Sequence, residues 1–216
     1  MQRILKNIWS RNMSKWYEFQ FLIKNNNISQ TFKEINSFLK NKKIKHNFFF
    51  IIKRPNIFLR IKDYKGKDFI RFYEPEIFQF GGNSNWNIIF KYLNQISASK
   101  LTDDWSKEKT EIFAINFLYT ILYNQNHYTK CSILKQLKYA RASSGVLTQK
   151  FTTSKKVLND AYILVEHLSK VKNALFPLDK VLPFVLIFCY NIADVPKDVQ
   201  IYVISYFEKE YYDKRY

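Results

Sequence analysis

Five consecutive large apolar residues, Phe48-Phe49-Phe50-Ile51-Ile52, closed by Lys53, constrain the fold of this chain more than any other feature. Aromatic and β-branched side chains suit extended backbone, and successive side chains of a strand point to opposite faces. A run without a polar member is therefore expected of a strand buried on both faces. Pro55-Asn56 turn the chain into Ile57 to Tyr64, where Ile57, Leu59, Ile61 and Asp63 alternate with Phe58, Arg60, Lys62 and Tyr64. One face of that strand is apolar and the other carries Arg60 and Lys62.

The surrounding sequence extends this unit. Trp16 to Ile23 is aromatic-rich and reads as a strand. Asn25 to Asn27 make a turn, and Ser29 is placed to cap a helix whose apolar positions Phe32, Ile35, Phe38 and Leu39 fall at helical spacing. Lys65-Gly66-Lys67-Asp68 reads as a hairpin turn into a further strand, Phe69 to Tyr73. Strand, helix, strand, strand suggests a ferredoxin-like βαββ half. Helical periodicity then dominates: 85–97, 107–123, 130–140, 154–169, 178–191 and 197–211 carry apolar residues three or four apart, and Arg141 to Thr148 breaks the series. The expected class is α+β, a single domain over 1–216 that is sheet-rich over 1–83 and helix-rich over 84–216.

Composition narrows the function. With 47% hydrophobic and 18% aromatic residues among 216, a sizeable core forms and global disorder is excluded. Two cysteines, Cys131 and Cys189, are too few for a disulfide framework or a cysteine-built zinc site, and read as buried reduced thiols. His46, His127 and His167 are scattered without metal-ligand spacing, and Cys131 with His127, an i, i+4 pair, is a weak catalytic dyad. No phosphate loop, dinucleotide fingerprint or HExxH is present, so no cofactor or metal is expected. Met1 to Trp16 lacks the apolar stretch of a secretory signal, and the longest apolar run, Val181 to Tyr190, is too short for a bilayer. A cytoplasmic protein without a membrane partner is expected.

The chain carries 35 Lys and Arg against 18 Asp and Glu, a formal charge of +17. Its richness in Lys, Asn, Ile, Phe and Tyr fits an AT-rich genome, and codon bias accounts for part of that charge. The charge concentrates between Lys40 and Lys67, with ten basic residues, one acid (Asp63) before Asp68, and Phe48, Phe49, Phe50, Phe58 and Tyr64 interleaved. Such a stretch is either a surface for nucleic acid or an acidic peptide, or a solvated face. Downstream, Tyr73-Glu74-Pro75-Glu76-Ile77-Phe78-Gln79-Phe80-Gly81-Gly82 sets two carboxylates around a proline before a glycine pair that permits close backbone approach. By spacing alone this is a turn closing a sheet.

Together, FFFIIKRPNIFLRIK, FYEPEIFQFGG and the C-terminal FCYNIADVPKDVQIYVISYF resemble the thiopeptide-type bacteriocin biosynthesis domain, the elimination domain of lantibiotic dehydratases and its stand-alone relatives. That family reads FFIRY..P..HLRLRF, then Y.PE..RYGG, and ends on a helix running into HM..NRL. The resemblance covers most of the chain, and YEPE…GG is its most specific part. Arg60 and Lys62 fall at the family's paired arginines and Phe58 near the preceding His. Tyr73, Pro75 and Glu76 match. Gln79 replaces an Arg and Phe80 a Tyr; Asn191 matches, Ile192 replaces an Arg, and Ile187 stands where a His would be. Losing that His and those arginines removes the cationic clamp and acid/base of a glutamate-eliminating lyase, which disfavours that activity.

The resemblance instead implies a pyridine synthase of the micrococcin type. Such an enzyme joins two dehydroalanines of an azole-bearing precursor peptide by a formal [4+2] aza-cycloaddition, with loss of water and of an acidic leader peptide. That chemistry needs positioning, donors to the reacting amide and an acid/base, without a cofactor. It implies Tyr73 and Glu76 for proton handling and Gln79 for holding an amide, although Glu76 equally suits tying down the turn. Arg60, Lys62, Arg141, Ser144, Tyr190 and Asn191 are the substrate-binding candidates, and other enzymes of the same pathway are possible partners. A split elimination lyase and a basic RNA-binding protein are the alternatives, with nucleic acid the less expected partner.

Overall fold

A computed structural model of the chain describes residues 15–75, 82–102, 105–123, 125–140 and 178–212. The chain divides into two compact units, Met1–Pro75 and Glu76–Tyr216. The architecture is α+β, with the strands first and helices after them.

The N-terminal unit runs β1 (Trp16–Leu22), a single 3-10 turn (Lys24–Asn26), α1 (Ile28–Asn41), β2 (Phe48–Lys53), β3 (Asn56–Lys62) and β4 (Arg71–Tyr73). The strands form one antiparallel sheet in the order β2-β3-β1-β4. β3 is inserted between β1 and β2, the split βαβ arrangement of ferredoxin-like sheets. The helix begins earlier than Ser29 suggested. Asn25 and Asn26 take φ of 52° and 55°, which leaves Asn27 as the last residue before the helix, and its side chain accepts from the Gln30 N–H at 3.0 Å. Asparagine caps a helix as well as serine does.

α1 covers one sheet face. Phe38 packs on Phe19 and Phe21, with ring centroids at 5.0 and 5.8 Å, and Phe32 on Phe50 at 5.5 Å. Leu59 stands between Phe19 and Phe50 in the ladder, and Ile35 and Leu39 complete this layer, both buried. Phe49 and Ile51, which point the other way, are buried too, as the all-apolar strand requires. Each such large side chain contributes roughly 1.5–3 kcal/mol.

The connection after β3 is not a hairpin. β4 pairs with β1, not with β3, so residues 63–70 pass across the start of β1. The Asp63 N–H donates to the Lys15 carbonyl at 2.7 Å and the Ile70 N–H to the Glu18 carbonyl at 2.9 Å. Only Arg71–Tyr73 of the expected strand joins the sheet, because the crossing uses the preceding residues.

The second unit contains α2 (Asn83–Thr102), α3 (Lys107–Tyr123), α4 (His127–Ala140), α5 (Leu178–Ala193) and α6 (Lys197–Tyr212). Ser106 caps α3 through the Lys109 N–H at 3.1 Å, and Asn126 caps α4 through the Thr129 N–H at 2.8 Å. α5 packs against α2, α3 and α4, and α6 against α3 and α4. The core position of α5 follows from its composition: Val181, Leu182, Val185, Leu186, Cys189, Tyr190, Ile192 and Ala193 are all buried. The expected helix 154–169 and the loop 141–148 lie outside the described residues. Among the described residues, no helix is long and apolar enough to cross a membrane.

Candidate functional site

A side chain on β1 has ladder neighbours on both sides, and Glu18 stands opposite Arg60 of β3 and Arg71 of β4. Its carboxylate is divided between them: Arg60 Nε donates to Oε2 at 2.8 Å and Arg71 Nε to Oε1 at 2.7 Å. Glu18 is 1% and Arg60 5% exposed, whereas the Arg71 side chain is 64% exposed. Tyr73, two residues beyond Arg71 and so on the same sheet face, lays its ring 3.6 Å from Arg60 Cζ. Phe49, opposite Arg60 on β2, closes the other side at 5.5 Å.

A carboxylate buried in an aromatic strand needs a charged partner, since an uncompensated buried ion costs several kcal/mol. Glu18 has two. The planar Arg60 guanidinium adds stacking on a tyrosine, which an ammonium group would not match. Two cations around one carboxylate leave the cluster with an excess positive charge, and Arg60 Nη1 is buried without a hydrogen-bond partner among the described residues. The chemical complement of such a corner is a carboxylate or a polarised carbonyl oxygen.

The sequence-derived candidates separate on this framework. Arg60 and Tyr73, from two different motifs, come face to face. Arg60 is nonetheless no solvated strand cation, because its polar face is buried and its Nε is engaged. Lys62 is half-buried at the end of β3, opposite Trp16. Tyr190 is fully buried, and its hydroxyl donates to the Ala114 carbonyl of α3 at 2.6 Å. Burial, with Cys189 beside it, pushes its pKa well above the ordinary tyrosine range. That hydrogen bond joins two core helices. Asn191 follows on α5, half-buried. Glu76, Gln79, Arg141 and Ser144 lie outside the described residues.

Sequence reasoning missed Glu18 and Arg71. The signal for Glu18 was a lone acid inside WYEFQFL; the signal for Arg71 depended on pairing β4 with β1, which a hairpin reading forbids. Cys189 is buried, with its thiol pushed up by desolvation. Cys131 is only half-buried, with its Sγ 3.6 Å from His127 Nε2 on α4. No protein-family model and no curated protein matches the chain.

Proposed function

We propose that this protein is a cytoplasmic thiopeptide macrocyclising pyridine synthase, acting on an azole- and dehydroalanine-bearing precursor peptide. The observation that carries the reading is the convergence of its two most family-like segments: Tyr73 of FYEPE stacks on Arg60 of NIFLRIK at 3.6 Å. Residues that serve one chemistry must share one place, and these two do.

In this reading the corner positions the peptide, and positioning supplies most of the acceleration. Holding two alkenes in contact replaces a bimolecular encounter and is worth about 7–11 kcal/mol in well-aligned cases. Arg71, with most of its side chain exposed, donates to the amide oxygen of the reacting residue and favours its imidic-acid tautomer. Glu18 orients Arg71 and Arg60 without touching the peptide. Tyr73 and Glu76 handle the proton moved as water is lost and the leader departs, and Gln79 holds a neighbouring amide.

Mass spectrometry of the protein incubated with such a precursor tests the reading. The expected products are a free leader and a core lighter by that leader and one water. Glutamate loss from a glutamylated precursor would instead identify an elimination lyase. Arg71→Gln is the informative variant, because it should lower turnover while leaving the buried Glu18–Arg60 pair in place. Arg60→Ala is confounded, since it takes the buried one of Glu18's two cationic partners out of the sheet.

A further inference from the structure

Three stretches far apart in sequence meet at one end of the N-terminal unit: the start of β1, the segment from α1 to β2, and the connection from β3 to β4. The Lys62 N–H donates to the Asn47 carbonyl at 2.8 Å and the Asp63 N–H to the Lys15 carbonyl at 2.7 Å. The Lys15 N–H returns to the Asp63 carboxylate at 3.1 Å. Lys42, at the end of α1, reaches Asp68 at 2.9 Å. This lacing brings Lys15, Lys40, Lys43, Lys45, Lys65 and Lys67 to the same end, all exposed. None of the six side chains has an ion-pair partner among the described residues.

The acids nearby do little to offset them. Asp63 receives the Lys15 N–H. Asp68 accepts from Tyr64 at 2.5 Å and pairs with Lys42. Those two bonds hold its carboxyl down to about 2. Glu74, past the end of β4, is the one left exposed and unpaired among the described residues. The negative end of the α1 dipole explains lysines at 40, 42 and 43, but Lys15, Lys65 and Lys67 belong to no helix. Gly66 keeps the connection tight: a Cβ there would strike the Tyr64 ring and the Asp68 carboxylate.

The structure also separates two kinds of polyanion. Of the rings interleaved with this charge in sequence, Phe48, Phe49, Phe50 and Tyr64 are buried and Phe58 is half-buried, so among the described residues this stretch offers no row of exposed rings for bases to stack on. The groups presented are lysine ammonium ions, point charges that meet carboxylates without demanding a planar fork. Beside them, on the β4 edge, Ile70 and Phe72 are exposed and give an apolar side chain somewhere to rest.

We propose that this lysine end is a docking surface for an acidic polypeptide segment. It names the surface that would receive an acidic leader, and for that identity it rests on the pyridine synthase reading; the docking itself does not.

Binding to the full chain is measured by fluorescence anisotropy with a labelled Asp/Glu dodecapeptide containing one Leu, and with an oligouridylate of equal charge. The peptide carries no azole or dehydroalanine, so its failure to bind would sink the docking surface and leave the synthase to the mass-spectrometric test. The variant Lys43→Gln, Lys45→Gln, Lys65→Gln, Lys67→Gln should weaken peptide binding about tenfold or more. A second variant, Lys91→Gln, Lys135→Gln, Lys197→Gln, Lys209→Gln, removes equal charge from the helical unit and should change it less than about twofold. Equal losses in both would show that net charge alone acts. Tighter binding of the oligouridylate would make this a nucleic-acid surface. Either result overturns the proposal.

Discussion

The two units differ in how particular buried polar side chains find partners. In the sheet unit the two buried charged side chains, Glu18 and Arg60, meet across a ladder. The helical unit also buries charges, Lys100 and Glu111, and Thr120 and Gln200 find backbone carbonyls, but its two buried asparagines stay unmatched. Asn85 and Asn116 are fully buried, with neither amide atom of either residue hydrogen-bonded among the described residues. Tyr190 succeeds where they do not, because its longer side chain reaches a carbonyl of the next helix. The difference teaches something about the elements. A ladder fixes which residues stand opposite each other, so a buried acid is delivered to its base by register. Helices satisfy their own backbone and leave a short side chain to find a partner by packing alone.

The largest test of that contrast is Glu18→Gln. It strands the buried Arg60 cation, and a loss of about 3–5 kcal/mol is expected in urea unfolding. The double variant Glu18→Leu/Arg60→Met should recover most of that loss; a double variant as unstable as the single one would show that packing, not charge, is at stake. The opposite sign is expected for Asn116→Leu in the helical unit. Removing an unpartnered amide should stabilise by roughly 1–2 kcal/mol, seen as a higher Tm by calorimetry, and a lower Tm would mean the amide has a partner. Tyr190→Phe should cost about 1 kcal/mol by losing one buried hydrogen bond; no change would remove that bond from the account of how α3 and α5 are joined.

The smallest effect is a titration. Asp68 is exposed yet held down to about 2 by hydrogen bonds from Tyr64 and Lys42. A depressed carboxylate gives stability that is present above its unfolded value of about 3.9 and lost as pH falls toward the folded one. Its carboxyl resonance should therefore move with a midpoint near 2, and Lys42→Ala should raise that midpoint. An ordinary midpoint in the unaltered chain would mean the lacing of the lysine end is loose.

Much of the sheet unit was legible. The apolar run 48–52, the alternation after Pro55 and the Trp16 strand each fell where pattern placed them, because side-chain period and burial are local consequences of sequence. The helical stretches among the described residues were equally legible, with ends shifted by up to five residues. β4 was not: Phe69 to Tyr73 has the composition of a strand, but nothing in those residues states that its partner is β1. The site suffered from the same gap. Arg60 and Tyr73 were recognisable as motif residues, while Glu18, which organises them, carried no motif at all. The burial of Tyr190 was not legible, because a tyrosine near a C-terminal motif looks alike whether its hydroxyl faces solvent or a helix carbonyl.

By itself, then, the sequence determined the α+β class, the order of the elements, their faces and an excess of positive charge. Those properties depend on periodicity and composition, which act over a few residues. Only the tertiary structure decided which strand lies beside which, that Arg60 is buried against Glu18, that Phe48, Phe49 and Phe50 are core, and that lysines from residues 15, 40–45 and 65–67 share one end. Each of these depends on pairings between distant segments, and such pairings are chosen by the joint free energy of the packed unit.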